Sequence, residues 1–328
     1  LYQTRIAGTG SYLPEKTLTN YDLEKLVETS HDWIVERTGI LVRHLAAPDQ
    51  ATSDLAVVAS IRAMEAANCT PQDIDFIIFA TVSPDHRMPS AAVFLQHKLG
   101  CKTIPAIDIS AACTGFLYGL TLAHNLLQGG VYKRILVVGA ETLSRMVDYT
   151  DRNTCILFGD GAGAMVIERS PENSNSKIYS YDLAADGSLA DLLILPAGGS
   201  RVPFSAEVLE DKSYFMSMKG KEIFKNAVRT MTISCQKVMA DNNMQEKDIS
   251  WLVPHQANGR IIEAVAKYFG LPDHKLVMNI ERTGNTSAAT VPIAFDEAVR
   301  DGRILREQNI LLTAFGAGLT SGSILLRY

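Results

Sequence analysis

The 328-residue chain is 47% hydrophobic and 20% charged with a formal net charge of -5, too apolar for disorder and long enough for two domains or a fused duplication. That acidic balance argues against nucleic acid as a main partner. Five cysteines, odd in number and without a CxxC pair, predict reduced thiols rather than a disulfide framework or a zinc ribbon. No apolar run reaches roughly 18 residues, and the first residues show no signal-peptide pattern, so the expectation is a cytoplasmic protein without a membrane partner.

Taken in order, the chain opens with a strand-like run, the turn Gly8-Thr-Gly and helical spacing from Asn20. Ser53 is placed to cap a helix running to Asn68, with Leu55, Val58, Ala59 and Ile61 on its apolar face. A buried strand at Phe76–Ala80, a polar loop at Ser83–Met88 and a helix to Gly100 follow. Ile104–Ile109 reads as a strand that runs into Ser-Ala-Ala-Cys113-Thr-Gly, and Phe116, Leu117, Leu120, Ala123 and Leu126 then recur at helical spacing. A third strand begins at Arg134.

The second part repeats this order: a helix from Gly220 to Asp241, a strand at Trp251, the loop His255-Gln-Ala-Asn258, and a helix to Phe269-Gly270. Val277-Met-Asn-Ile, the loop Arg282-Thr-Gly-Asn285-Thr, another helix and a strand from Asn309 complete it. Ile74 falls on Ile249, Pro84 on Pro254, Gly100 on Gly270 and Gly139 on Gly316. The spacing of about 170–177 residues is far beyond a solenoid repeat. An α/β protein of two related halves is predicted, divided as residues 1–172 and 173–328, each with a parallel sheet and helical crossovers.

Ligands of parallel α/β sheets bind beyond the carboxyl ends of the strands, where Cys113, His255 and Asn285 all fall. The start of a helix favours a thiolate and predicts a lowered pKa for Cys113. The glycine-rich stretches Phe158-Gly-Asp-Gly-Ala-Gly and Gly316-Ala317-Gly318 read as loops, and neither opens a helix or carries a phosphate-binding Lys-Ser/Thr. They suit close backbone approach instead. No metal-ligand spacing is present. Lys221, Lys225 and Arg229 form one helical stripe, with Arg260 and Lys267 on the next helix, which suits either solvent or an acidic partner.

In combination, Asp108-Ile-Ser-Ala-Ala-Cys113-Thr-Gly-Phe, His255-Gln-Ala-Asn258, Gly284-Asn285-Thr-Ser-Ala-Ala, Phe315-Gly-Ala-Gly and Trp33-Ile-Val-Glu-Arg37-Thr-Gly resemble the β-ketoacyl-acyl-carrier-protein synthase III family. The resemblance runs the full length. It implies a thiolase-like fold, two pseudo-symmetric α/β halves layered α-β-α-β-α, and the initiating condensation of bacterial type II fatty-acid synthesis. It implies an acyl group passed from acyl-CoA to Cys113, and malonyl-acyl-carrier protein as the second substrate. His255 and Asn285 would stabilise the enolate, and the N–H groups of Cys113 and Ala317 would form the oxyanion hole.

By the same resemblance, Trp33, Arg37, Arg152 and Asn258 contact CoA, and Lys225, Arg260 and Lys267 dock the carrier protein. Leu143, Phe158 and Met216 line the primer pocket, and Met88 reaches it from the second subunit of a homodimer. No cofactor is implied. Elongating synthases pair the cysteine with two histidines, and a thiolase needs a second cysteine that residues 309–328 lack. The alternatives are a specialised secondary-metabolite synthase or acyltransferase, or a non-catalytic partner subunit.

Overall fold

The computed structural model describes residues 2–328. The first half holds strands β1 (Thr4–Tyr12), β2 (Phe76–Ala80), β3 (Ala106–Ile109), β4 (Arg134–Thr142) and β5 (Asp160–Arg169). The second holds β6 (Lys177–Ala185), β7 (Trp251–Pro254), β8 (Asn309–Gly316) and β9 (Thr320–Arg327). Helices α1 (Thr52–Ala66), α2 (Ala91–Leu99) and α3 (Gly115–Gln128) belong to the first half, and α4 (Gly220–Ala240), α5 (Gly259–Tyr268) and α6 (Thr290–Arg300) to the second.

Sheet one runs β1-β5-β4-β2-β3 and sheet two β7-β8-β9-β6. Both are mixed, correcting the parallel sheets expected from sequence: β2 is parallel to β3 and β4, and β7 to β8, while the remaining pairs are antiparallel. The physical cause is connection length. Three residues join β8 to β9, enough for a hairpin and far too few for a crossover. The stretch Asp160–Ala164, expected as a loop, is the start of β5. Its glycines let the strand lie close under α6, where a Cβ on Gly163 would meet Pro292 at 2.7 Å. Val277-Met-Asn-Ile forms no strand and leaves only a bridge between Leu252 and Leu276.

The layers follow from which faces are apolar. Helices α1 and α2 cover one face of sheet one, and α4, with α5 beside it, covers the far side of sheet two. Helices α3 and α6 lie between the sheets. Phe116, Leu117, Leu120 and Ala123 of α3 are fully buried with Val291, Ala294 and Phe295 of α6. A helix apolar over most of its circumference is stable only when covered on both sides. Full burial stabilises each such large side chain by about 1.5–3 kcal/mol.

Ser53 does not cap α1, which begins at Thr52. The cap is supplied by Asp54, whose carboxylate accepts from the Ala51 N–H at 2.7 Å, while Asp85 holds Ser53 through its N–H and hydroxyl.

Register exposes the duplication. Phe76 pairs with Ile135 as Trp251 pairs with Ile310, a constant spacing of about 175 residues. Asn68 and Asn243 share a left-handed φ of 52° before these strands, and Gly100 and Gly270 stand left-handed beyond α2 and α5. The same register sets Gly139 opposite Ala314, not Gly316 as the sequence pattern suggested.

Candidate active site

Cys113 lies in a single helical turn, Ala112–Thr114, between β3 and the start of α3. The equivalent turn of the second half is Ser287–Ala289, ahead of α6. Each begins with a non-glycine residue in the left-handed region, Ala112 at φ 46° and Ser287 at φ 49°. Such strain persists where surrounding packing enforces it. That packing is visible at Gly139 of β4, where a Cβ would meet the Ala288 carbonyl oxygen at 2.3 Å. Glycine here lets the second half's turn rest directly on the first half's sheet.

Three further segments close around Cys113. His255 extends β7 and is fixed by its N–H to the Thr313 carbonyl at 2.7 Å, with Nδ1 2.6 Å from the Thr290 hydroxyl. Asn285 is clamped between the Leu157 carbonyl, which accepts its N–H at 2.8 Å, and the Gly159 N–H, which donates to its carbonyl at 3.0 Å. Its Oδ1 accepts from the Ser287 N–H at 2.9 Å. A backbone N–H can only donate, so the amide's NH2 faces the site. Gly316 packs on the Cys113 backbone so closely that a Cβ would meet its nitrogen at 2.8 Å.

Cys113 borders two cavities. One, about 180 Å³ and almost wholly apolar, is lined by Leu143, Met146, Phe158, Leu193, Met216 and Ala317 among others. The other, about 120 Å³, contains His255, Asn285 and Asn258 with Phe224 and Ile261. A larger open groove of about 620 Å³ lies elsewhere, lined by Ser11 and by charges of both signs.

Burial governs the titration of the site. It pushes the Cys113 thiol up to about 12, which the Ser287 hydroxyl opposes and the nearby Glu141 carboxylate reinforces. This corrects the lowered pKa expected from the helix start, since desolvation outweighs the dipole. Burial pushes His255 down to about 3, so its imidazole is neutral. Glu141, near the end of β4, is pushed up to about 7 by burial against hydrogen bonds from Ser83, Val82, Thr81 and Ser287. The Ser83 hydroxyl donates to it at 2.5 Å and the Val82 N–H at 3.1 Å.

The other predicted residues fall in three groups. Trp33 carries two guanidiniums, with Arg37 4.6 Å and Arg152 4.9 Å from its ring centroid. Asn258 caps α5, accepting from the Arg260 N–H at 2.9 Å, and donates to the Arg37 carbonyl at 2.9 Å. Lys225, Arg260 and Lys267 are exposed on the adjacent helices α4 and α5, with Arg260 stacked 5.9 Å from Phe224. Leu143, Phe158 and Met216 meet in the apolar cavity, but Met88 does not join them: it stands 86% exposed on the loop before α2. The positive φ of the Ala317 turn falls on Gly318, so alanine fits there without strain.

Sequence reasoning missed Glu141, Ser287, Thr290 and the wall Leu193-Ile194-Leu195. An acid inside the apolar run of β4 was the available signal for Glu141. Leu193 and Ile194 of that wall form a two-residue strand paired with Ser217-Met218, too short to show periodicity.

Comparison with known proteins agrees with this architecture. Models of 3-oxoacyl-[acyl-carrier-protein] synthase III and of its C-terminal part match residues 107–187 and 239–328. The chain is 51% identical over 323 residues to the beta-ketoacyl-[acyl-carrier-protein] synthase III of Caldanaerobacter subterraneus subsp. tengcongensis, covering 98% of this chain and 97% of that one. The crystal structure of the synthase III from Aquifex aeolicus superposes with a TM-score of 0.92 at 45% identity, over 99% of this chain and 100% of that one. The priming β-ketosynthase of the R1128 polyketide pathway superposes with a TM-score of 0.91 at 33% identity, over 99% and 96%.

Proposed function

We infer, from a chain that belongs to the 3-oxoacyl-[acyl-carrier-protein] (β-ketoacyl-[acyl-carrier-protein]) synthase III family, that one cysteine serves two substrates in turn. The protein is an acyltransferase that catalyses the initiating condensation of fatty-acid synthesis. The observation that carries its mechanism is the position of Cys113 between a cavity with almost no polar lining and a second one that adds the His255 and Asn285 side chains to apolar walls.

In the first half-reaction the Cys113 sulfur attacks the thioester carbon of acyl-CoA. A C–S bond forms to Cys113, the C–S bond to CoA breaks, and the thiol proton ends on the departing CoA sulfur. Charge on the carbonyl oxygen is met by the backbone N–H groups of Cys113 and Ala317. The dipole of α3 favours the sulfur while it is anionic. The acyl chain then occupies the cavity lined by Leu143, Phe158 and Met216. Its volume of about 180 Å³ and apolar lining suit a short acyl chain.

In the second half-reaction the malonyl group of malonyl-acyl-carrier protein enters the cavity of His255 and Asn285 and loses carbon dioxide. The electron pair left behind spreads onto the thioester oxygen, where the NH2 of Asn285 and the imidazole of His255 donate. Donors that strengthen as charge develops favour the transition state over the bound substrate. The carbanion attacks the acyl carbon, a C–C bond forms as the C–S bond to Cys113 breaks, the released thiolate takes a proton from water, and the product leaves as β-ketoacyl-carrier protein. Each step uses protein groups, so the mechanism calls for no cofactor.

Trp33, with Arg37 and Arg152 stacked on it, suits a planar, phosphate-bearing ligand and is assigned to CoA, with Asn258, which lines the cavity of His255 and Asn285. Lys225, Arg260 and Lys267 are assigned to the acidic carrier protein. The exposed Met88, with Ile107 on the edge strand β3, supports a homodimer in which Met88 completes the partner's apolar cavity. No helix among the described residues is long and apolar enough to cross a membrane, and the enzyme is assigned to the cytoplasm.

The test is mass spectrometry of the protein after acyl-CoAs of increasing length, then malonyl-carrier protein. Acylation of Cys113 by acetyl- and short-chain CoA, followed by release as a ketoacyl product, is expected. An adduct that passes to a hydroxyl or amine but never to malonyl-carrier protein indicates a specialised acyltransferase instead.

A further inference from the structure

A neutral imidazole carries one proton, and only the Nε2–H form can donate to an oxygen in the cavity of His255 and Asn285 while Nδ1 faces the protein. Burial keeps His255 neutral, so something must select the ring nitrogen. Nδ1 has one side-chain contact, the hydroxyl of Thr290 at 2.6 Å. A bare Nδ1 accepts from that hydroxyl, which leaves the ring proton on Nε2. The competing acceptor is the Ser287 carbonyl at 3.0 Å from the same hydroxyl. The hydroxyl has one proton to give to one of these two acceptors, and the Nδ1 contact is the shorter.

We propose that Thr290 is a positioning residue whose hydroxyl donates to Nδ1 of His255 and so fixes the proton on Nε2, facing the malonyl oxygen. One turn then aims both donors: the Ser287 N–H orients the Asn285 amide, and three residues on the Thr290 hydroxyl orients the imidazole. This rests on the donor role of His255 and adds what enforces it. Thr290→Val removes the proton donor while nearly keeping shape, and Thr290→Ser keeps the hydroxyl.

The experiment uses full-length enzyme with ¹⁵N-labelled histidine, with the His255 signals assigned by their loss in His255→Gln. In the wild type Nε2 gives the protonated, pyrrole-type signal and Nδ1 the bare one. In Thr290→Val the two forms mix, and discharge of the acyl-enzyme by malonyl-carrier protein slows about 10- to 100-fold. That is less than the roughly 10⁴-fold that a wrong tautomer costs a serine-protease triad, because a free imidazole still spends time in the useful form. Acylation of Cys113 is unchanged, and Thr290→Ser restores discharge. A wild-type proton on Nδ1, or discharge by Thr290→Val at the wild-type rate, overturns the proposal. A wild type that acylates but never discharges would instead overturn the condensing mechanism, a result the spectrum alone keeps separate.

Discussion

The two turns at the centre of the molecule share a backbone and differ in every functional side chain. Ala112-Cys113-Thr114 leads into α3 and Ser287-Ala288-Ala289 into α6, with the same left-handed first residue and the same place beside a sheet. The first turn bears a nucleophile where the second has Ala288. The second is followed by Thr290 where the first has Gly115, whose missing side chain leaves it beside Ala80 and Ala288. Duplication supplied the geometry, and substitution within it divided the chemistry into an acyl-carrying half and a charge-stabilising half.

That division can be broken at either turn. Replacing Cys113 with alanine removes the nucleophile and is expected to reduce both half-reactions to background, measured by adduct mass and product release. His255→Ala or Asn285→Ala leaves acylation intact and lowers malonyl-dependent discharge by about 10²–10³-fold each, the usual cost of one preorganised donor. Gly139→Ala forces a Cβ into the Ala288 carbonyl at 2.3 Å. It is expected to destabilise the fold by about 1–3 kcal/mol as an overpacking change, read as a lower denaturation midpoint, and to weaken both half-reactions together because it separates the halves.

Smaller effects sharpen the contrast. Lys225→Glu with Arg260→Glu raises the KM for malonyl-carrier protein and spares acyl transfer from CoA; equal loss in both would remove the docking assignment. The middle helices differ as well, because α3 buries His124 against the Thr4 hydroxyl at 2.6 Å and α6 has no counterpart. Burial pushes His124 down to about 4 from an ordinary 6.5. Between those values the unfolded chain binds the extra proton, so this contribution is complete above pH 6.5 and is lost as pH falls toward 4. His124→Gln is expected to flatten the fall of Tm with acidification across that window. Ala317→Gly is expected to be close to neutral in activity, since a backbone donor remains.

Much of this was legible in the sequence because it is written in residue order. Cys113, His255 and Asn285 each follow a strand-like run, and the repeat of punctuating residues placed them in two comparable halves. Antiparallel pairing was hidden by glycine: Asp160-Gly-Ala-Gly-Ala has no alternation to read, yet its small residues are what let β5 run beneath α6. The thiol's titration depends on desolvation by residues distant in sequence, which no local pattern contains. Thr290 looked like any residue at a helix start, and its meaning lies in a contact with a residue on another strand. Met88 points away from its own chain's cavity, so its role can be read only with a second copy.

The central claim, one cysteine shared by an acyl cavity and a second cavity that holds His255 and Asn285, is tested most directly by following one enzyme-bound acyl group. Wild type and Asn285→Ala are acetylated with acetyl-CoA, freed of excess CoA, and mixed with malonyl-carrier protein while the mass of the Cys113 peptide is recorded over time. Both proteins are predicted to gain the acetyl mass on Cys113 at similar rates, and only the wild type to lose it rapidly as ketoacyl product. Acetyl on another residue, or discharge by Asn285→Ala at the wild-type rate, would contradict the account.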